Sequence, residues 1–258
     1  MPAELIDFLE ATLRFTPAGP GAVIEDSARH VLLATDGQCV VQGIRIEEDT
    51  VEHAVAKVRS FMRRHGARTA RWLLCDRSTP SDLEQRLLAL GFARAPYDYE
   101  IDGMMITSAP PPGPEDVNAR PVQTPEEYVA ARLLLFDVFG IPPARRLDEA
   151  SLAEEFADVE QAGTGIAYGA WLEGRHAGAA RSVFGPQGAL LDWAGTAEWA
   201  RGRGVYRALV RVRWDDVARR GDSALVVQAR AMSAPILKRL GFEPVLHFRR
   251  LVDVLEGV

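Results

Sequence analysis

The sequence predicts an α/β protein made of two copies of one α/β unit, and three observations support this. Strand-like and helix-like segments alternate along the chain of 258 residues, which is typical of α/β folds. Residues 108–114 contain four prolines and a glycine, so they form neither a helix nor a central strand. The parts before and after this segment both end in a strand, a helix and Leu-Gly-Phe, at residues 90–92 and 240–242. This repeat indicates two related units.

The first half, residues 1–107, begins with a predicted helix over residues 3–14. Thr50 is a favourable N-cap residue for a later helix, and Gly91 follows the last one as a stop signal. The predicted strands cover residues 30–34, 39–46, 70–75 and 97–106, and the further helices cover 50–64 and 81–90.

The second half, residues 116–258, follows a stiff proline-rich linker over residues 108–115. Its first helix begins at Thr124, where a Thr cap, Pro125 and Glu127 form a strong start signal. The predicted helices cover residues 124–139, 147–161, 204–220 and 233–240. The predicted strands cover residues 117–122, 165–172, 176–184, 189–196 and 224–229, with further strands up to residue 254.

The composition excludes several classes of protein. A net charge of −6 argues against nucleic acid as the main partner, because phosphate binding needs a basic face. No apolar run reaches the roughly 18–20 residues that a membrane-spanning helix needs, and the N-terminus does not resemble a secretory signal. We therefore expect a cytoplasmic protein in which Cys39 and Cys75 are buried free thiols. The spacing of cysteines and histidines predicts no metal site.

The most informative segment is the loop Arg201-Gly202-Arg203-Gly204, which lies between a predicted strand and a predicted helix. Glycine allows a ligand to approach the backbone closely, and the first turn of a helix presents unpaired N–H groups. Such a strand–loop–helix element binds anions, most naturally phosphate. The alternative is a tight turn with solvated arginines. A dinucleotide site is rejected, because Arg207 stands where a third small residue is needed and the next strand ends in Gln228 rather than an acid.

Taken together with Leu240-Gly241-Phe242, the segment from Ala194 to Gly204 resembles the Gcn5-related N-acetyltransferase (GNAT) superfamily. The family loop, Gln/Arg-x-x-Gly-x-Gly/Ala, is matched by Arg201 and Gly204 and broken at Tyr206. The resemblance covers about residues 116–254, and the first half resembles the same fold more weakly. It implies two tandem GNAT-like domains, each a mixed, mostly antiparallel sheet flanked by helices.

The resemblance also implies an activity and a cofactor site. The family transfers the acetyl group of acetyl-CoA, its co-substrate, directly to an amine. Backbone amides from Arg203 to Tyr206 would hold the pyrophosphate, and main-chain groups of Ala194 and Thr196 would pair with pantetheine. The residues expected to bind the cofactor are Ala194, Gly195, Thr196, Arg201, Gly202, Arg203, Gly204, Val205, Tyr206 and Arg207.

The catalytic residues are less clearly marked. In the family, the helix before Leu-Gly-Phe often holds an Asn and a Tyr, and the Tyr protonates the leaving thiolate, but the corresponding positions here are Arg230 and Leu237. Tyr206 is a catalytic candidate, although it equally suits an aromatic covering the helix start. Asp192 is the candidate general base, because alternation places it on the same strand face as Ala194 and Thr196, where apolar neighbours would raise the pKa of its carboxyl. It could equally be a surface carboxylate, and Glu198 and His247 are weaker candidates.

The first half shows no comparable loop, since residues 46–50 contain three acids and no glycine. We therefore expect a degenerate N-terminal domain and a catalytic C-terminal one. The predicted function is an N-acetyltransferase acting on a primary amine of a small molecule. The alternative is a non-catalytic protein that binds or senses acyl-CoA. Neither nucleic acid nor membrane is expected as a partner, and assembly as a homodimer is left open.

Overall fold

The computed structural model describes residues 3–15, 22–35, 37–163 and 165–255 of the chain. By their mutual contacts these residues group into two compact units. Unit 1 comprises Met1–Met104, Gln228–Leu237 and Glu243–Val258, and unit 2 comprises Met105–Val227 and Lys238–Phe242. Grouping by contacts thus assigns the last strand to unit 1, whereas division at the linker assigns it to the second domain. The domain boundaries drawn from the sequence stay a prediction.

Unit 1 alternates strands and helices before the proline-rich segment. Its helices are α1 (Ala3–Glu10), α2 (Val51–Arg64) and α3 (Leu83–Ala89). Its strands are β1 (Val23–Asp26), β2 (Val31–Thr35), β3 (Gln38–Gln42), β4 (Thr69–Cys75), β5 (Ala93–Arg94) and β6 (Glu100–Ile106), the last two residues of which fall in unit 2.

Unit 2 carries the candidate cofactor loop. Its strands are β7 (Val117–Pro121), β8 (Gly165–Leu172), β9 (Arg175–Gly185), β10 (Gly188–Thr196) and the start of β11 (Leu225–Ala229). Its helices are α4 (Pro125–Val138), α5 (Glu149–Ala162) and α6 (Val205–Arg219). The chain ends with the short helix α7 (Ala234–Arg239) and the long strand β12 (Glu243–Val254).

Each unit contains a mixed, mostly antiparallel sheet with one parallel pair. In unit 1, β1, β2 and β3 pair antiparallel, β3 pairs parallel with β4, and β4 pairs antiparallel with β12. In unit 2, strands β7 to β10 are antiparallel neighbours in chain order, and β10 pairs parallel with β11. Each parallel pair is joined by a helix, α2 or α6, because parallel strands need a crossover connection. The predicted fold class is confirmed.

The cap signals of the sequence act differently at two helix starts. At α4 the hydroxyl of Thr124 accepts a hydrogen bond from the backbone N–H of Glu127 at 3.3 Å, with Pro125 in the first turn. At α2 Thr50 occupies the N-cap position, but its hydroxyl donates to the Glu47 carbonyl at 3.1 Å and caps no helical N–H. Only the first cap therefore works as the sequence predicts.

Two helices cover opposite faces of the unit 2 sheet. On one face α6 packs Val205 and Leu209 against a cluster that includes Ala180 of β9. On the other face α4 packs Leu135 against a cluster that includes Ala179. Neighbouring residues of a strand point to opposite faces, so β9 is buried on both sides. This packing fixes α6, and with it the loop that precedes the helix.

The C-terminal strand is held in unit 1 by an ion pair as well as by its sheet partner. Arg59 of α2 donates from Nε and Nη2 to the two carboxylate oxygens of Asp253, at 2.9 and 2.8 Å. The Asp253 side chain is only 2% exposed, and that of Arg59 is 30% exposed. The pair joins residues 194 positions apart in the chain.

Arg59→Ala should destabilise unit 1, because it leaves the Asp253 carboxylate buried without its counter-charge. We expect the free energy of unfolding to fall by about 2 kcal/mol, less than for a fully buried pair because Arg59 is partly exposed. Chemical denaturation followed by circular dichroism measures this. Arg63→Ala, which removes an exposed arginine of the same helix, should cost less than about 0.5 kcal/mol. Equal losses in both variants would contradict this role of the ion pair.

Candidate functional site

The loop before α6 has the backbone shape that an anion site needs. Gly202 and Gly204 both adopt left-handed conformations, with φ of +77° and +78°. Apart from Gly202 itself and its two chain neighbours, no atom of the described residues lies within 4 Å of the position where a Cβ of Gly202 would stand, so the loop is open at this glycine. Gly204 is the N-cap of α6 and offers no side-chain cap, which leaves the first N–H groups of the helix for a ligand.

The proline-rich segment packs against this loop and along α6. A Cβ at Gly204 would lie 2.4 Å from Cγ of Pro114, and a Cβ at Gly113 would lie 2.7 Å from Cβ of Ala208. Nη1 of Arg211 also donates to the carbonyl of Pro110 at 3.1 Å. Residues 110–114 are therefore part of unit 2, and they explain by close packing why position 204 is glycine.

The three arginines of the loop region differ in their surroundings. Nη2 of Arg203 lies 3.1 Å from Oε1 of Glu173 and 3.6 Å from Oδ2 of Asp116, so its charge is already balanced. Arg201 and Arg207 have no ion pair within the described ranges, and Nη2 of Arg207 would lie 3.7 Å from a Cβ at Gly204. Arg201 and Arg207 are thus the arginines with charge to offer a phosphate.

The strand β10 separates from its parallel partner well before it reaches the loop. It pairs with β11 only at Ala189 and Leu190, whereas its pairing with β9 continues to Thr196. The backbone of residues 194–196 therefore has a sheet partner on one side and, within the described part of the chain, none in β11 on the other. Such an unpaired strand edge can accept an extended ligand as an additional strand.

A β-bulge interrupts β10 at Asp192 and Trp193. Leu191 pairs with Ser182 and Ala194 pairs with Ala180, so β10 carries one extra residue over this stretch. The extra residue breaks the alternation of side chains. The prediction that Asp192 shares a strand face with Ala194 and Thr196 is therefore wrong, because it assumed a regular strand.

Asp192 is a partly buried carboxylate beside a cation. Its Oδ2 lies 3.8 Å from Nη1 of Arg181, and the two side chains are 27% and 28% exposed. Burial raises the pKa of Asp192, while Arg181 and, more weakly, Arg132 and Arg213 act to lower it. The predicted direction of this pKa shift is confirmed. A raised pKa suits a residue that accepts a proton near neutral pH.

The structure reveals a buried polar group that the sequence analysis missed. Arg213 of α6 is 0% exposed, and its Nε donates to the Leu209 carbonyl at 2.9 Å. Among the residues that the structure describes, neither its Nη1 and Nη2 nor the hydroxyl of Tyr168, which is also 0% exposed, makes a hydrogen bond of regular geometry. Burial lowers the pKa of Arg213, against the opposing effects of Tyr206, Tyr168 and Asp192. The only sign of this buried group in the sequence is that Arg213 follows Tyr206 by seven residues, which places both on the same face of a helix.

Tyr206 lies in the first turn of α6 and is half-buried. Burial raises the pKa of its hydroxyl, and the nearby Arg213 opposes this shift. Its roles as cofactor-binding and catalytic residue stay predictions. Leu237 is 0% exposed and has no proton to donate. Its correspondence to the general acid of GNAT enzymes stays a prediction.

The corresponding segment of unit 1 is unsuited to an anion. Glu47 and Glu48 precede α2 and are held by Arg29 at 3.2 Å and by Arg86 at 2.9 Å. These carboxylates would repel a pyrophosphate at the start of the helix. These acids support the expectation that the first half carries no cofactor loop, which stays a prediction.

Solved structures show what this architecture is similar to. A tandem GNAT protein from the clavulanic acid biosynthesis pathway, solved without AcCoA, matches over 96% of this chain and 87% of its own, with a TM-score of 0.66 and 16% identity. This chain has the fold of tandem GNAT proteins. A GCN5-related N-acetyltransferase from Kribbella flavida matches over 98% of this chain and 95% of its own, with a TM-score of 0.69 and 16% identity.

A further structure with the GNAT fold, a GCN5-related N-acetyltransferase from Sphaerobacter thermophilus, matches over 91% of this chain and 83% of its own, with a TM-score of 0.64 and 17% identity. No protein-family model and no curated protein matches the sequence. The tandem GNAT fold is therefore established by structural similarity, at identities too low to transfer an activity.

In the ranges that the structure describes, no helix has the length and apolar character needed to span a bilayer. Within the same ranges, no group of three or more His, Cys, Asp or Glu side chains is placed to hold a metal ion.

Proposed function

We propose that this chain is an acetyl-CoA-dependent N-acetyltransferase that moves an acetyl group to a primary amine of a small molecule. One observation carries the proposal, namely that β10 separates from β11 and leads directly into the two-glycine loop at the start of α6. The tandem GNAT fold supports it, since the similar structures include N-acetyltransferases.

The cofactor would bind along this path. The amides at the start of α6, with Arg201 and Arg207, would hold the pyrophosphate, because helix N-termini and arginines both stabilise phosphate charge. The open backbone edge of residues 194–196 would pair with the amides of pantetheine. This places the thioester towards the bulge in β10, where Asp192 lies.

In the proposed reaction, the amine nitrogen attacks the acetyl carbonyl carbon and the carbon–sulfur bond breaks. Asp192 accepts the proton that the attacking amine loses, directly or through water. The thiolate leaves without a general acid at Leu237, which is tolerable because the pKa of a thiol is about 8.5. The acetyl group is thus transferred in one step, with no covalent intermediate on the protein.

The buried residue Leu237 also favours a second candidate function. A protein that binds acyl-CoA without turnover needs the loop and the open strand edge but no general acid. Release of free CoA in the presence of amines distinguishes the two functions. We place either function in the cytoplasm, because Cys39 and Cys75 are free and buried, as is usual in a reducing compartment.

Calorimetric titration with acetyl-CoA tests the cofactor site. We expect micromolar affinity with one site per chain. Arg201→Glu and Arg207→Glu should each weaken binding about tenfold or more, because each removes a charged phosphate contact and adds repulsion. Arg63→Glu makes the same charge change at an exposed arginine of α2 and should leave affinity unchanged. Equal affinity in all four proteins would remove the support for this loop as the pyrophosphate site.

A further inference from the structure

Two exposed aromatic side chains form a pair on unit 2. Phe139, the residue that ends α4, and Trp193 of β10 are each 45% exposed. Their ring centroids lie 6.2 Å apart with an interplanar angle of 76°, which is a favourable edge-to-face geometry. Two adjacent exposed rings offer an aromatic ligand a surface on which a third ring can pack.

This aromatic pair lies beside the proposed base. Trp193 follows Asp192 within the bulge of β10. A Cβ at Gly195 would lie 2.9 Å from Cγ1 of Val138, so the end of α4 is in direct contact with this part of the strand. The pair therefore borders the position at which the attacking nitrogen would stand.

The charged groups around the pair are already balanced. The guanidinium of Arg132 lies 4.7 Å from the Trp193 ring centroid and pairs with Glu155 at 2.9 Å. Arg181 faces Asp192 at 3.8 Å. Since Glu155 and Asp192 each have a cation beside them, these two carboxylates provide no surplus negative charge for a polyamine.

We propose that the acceptor is an arylalkylamine, a primary amine attached by a short alkyl chain to an aromatic ring. The ring packs against Trp193 and Phe139, on the part of the Trp193 surface that Arg132 does not cover. The amine then reaches Asp192, the neighbour of Trp193 in the chain. This inference rests on the proposed function, since it names the substrate class of that site.

Rates of acetyl transfer to four amines test the inference. We expect kcat/KM for 2-phenylethylamine to exceed those for n-butylamine, spermidine and glucosamine by about tenfold, the scale of a favourable aromatic contact. Trp193→Ala and Phe139→Ala should abolish this preference, so that kcat/KM for 2-phenylethylamine falls to that for n-butylamine in the same variant. Tyr97→Ala removes an aromatic residue that is 97% exposed in unit 1 and should change nothing.

Trp193→Phe is the control for misfolding, because its phenyl ring should keep most of the preference for 2-phenylethylamine. The melting temperature of each variant shows whether it is folded. A preference for spermidine or glucosamine, or an aryl preference that survives Trp193→Ala, would overturn the inference while leaving the acetyltransferase intact. Absence of any turnover would instead contradict the proposed function. In that case calorimetric binding of 2-phenylethylamine to the wild type and to Trp193→Ala decides the inference directly.

Discussion

Gly204→Asp is expected to abolish acetyl-CoA binding and also to lower the melting temperature. The new carboxylate would stand at the N-terminus of α6, where we propose that the pyrophosphate binds, and would repel it. The Cβ would meet Pro114 at 2.4 Å, and a φ of +78° is strained for a side chain. Calorimetry with acetyl-CoA and a thermal melt by circular dichroism measure the two effects.

Gly202 provides the variants that separate charge from packing. It has the same left-handed conformation but nothing within 4 Å of its Cβ position. Gly202→Ala adds backbone strain alone. Gly202→Asp adds a negative charge with less backbone strain, because Asp adopts the left-handed conformation more readily than Ala does. We expect Gly202→Asp to lose most of its affinity and Gly202→Ala to keep most of it.

Equal loss of affinity in both Gly202 variants would show that loop shape alone governs binding. Wild-type affinity in Gly202→Asp would show that the pyrophosphate does not bind at this loop. In the second case the proposed function would lose the observation that carries it.

Asp192→Asn should slow acetyl transfer about a hundredfold or more at unchanged acetyl-CoA affinity, because an amide cannot accept the proton. Steady-state kinetics over pH test this. The rate of the wild type should rise with pH as Asp192 loses its proton, and burial places this rise above the ordinary carboxyl range. The rise should vanish in the variant.

The same pKa shift predicts that Asp192→Asn stabilises the folded protein. Between the ordinary and the raised pKa of Asp192, the folded protein holds a proton that the unfolded chain has released. The free energy of unfolding therefore falls as pH rises through this window. Asp192→Asn removes this loss, so at neutral pH we expect a variant that is less active but more stable.

Glu198→Gln is the matched control for Asp192→Asn. Glu198 lies close to the loop in sequence and is exposed. Replacing its carboxylate with an amide should therefore leave the rate of acetyl transfer and the free energy of unfolding nearly unchanged. A large rate loss in Glu198→Gln, with none in Asp192→Asn, would reassign the general base. Loss of rate in Asp192→Asn without any gain in stability would contradict the raised pKa.

Several features of this protein could be predicted because they depend on residues near one another in the chain. The cap of α4 at Thr124 is one example, and the two-glycine loop between β10 and α6 is another. The acids at residues 47–49 are likewise read from the sequence alone, and the absence of an anion loop in the first half stays a prediction. In each case the backbone conformation or charge follows from a few consecutive residues.

Other features depend on residues distant in the chain and were not predicted. The bulge at Asp192 is one, because the extra residue becomes visible only through the register with β9. The burial of Arg213 is another, since its helix spacing equally suits a solvated arginine. The aromatic pair joins Phe139 and Trp193, which lie 6.2 Å apart in space and far apart in sequence.

The sequence by itself determined the tandem α/β architecture and the loop from Arg201 to Gly204, because short-range periodicity, turns and helix caps specify local structure. Only the tertiary structure decided that β12 pairs with β4 and that Pro114 packs against Gly204. It also decided which strand face carries Asp192. These outcomes depend on which surfaces fit together when apolar residues are buried, and a linear pattern of residues leaves that choice open.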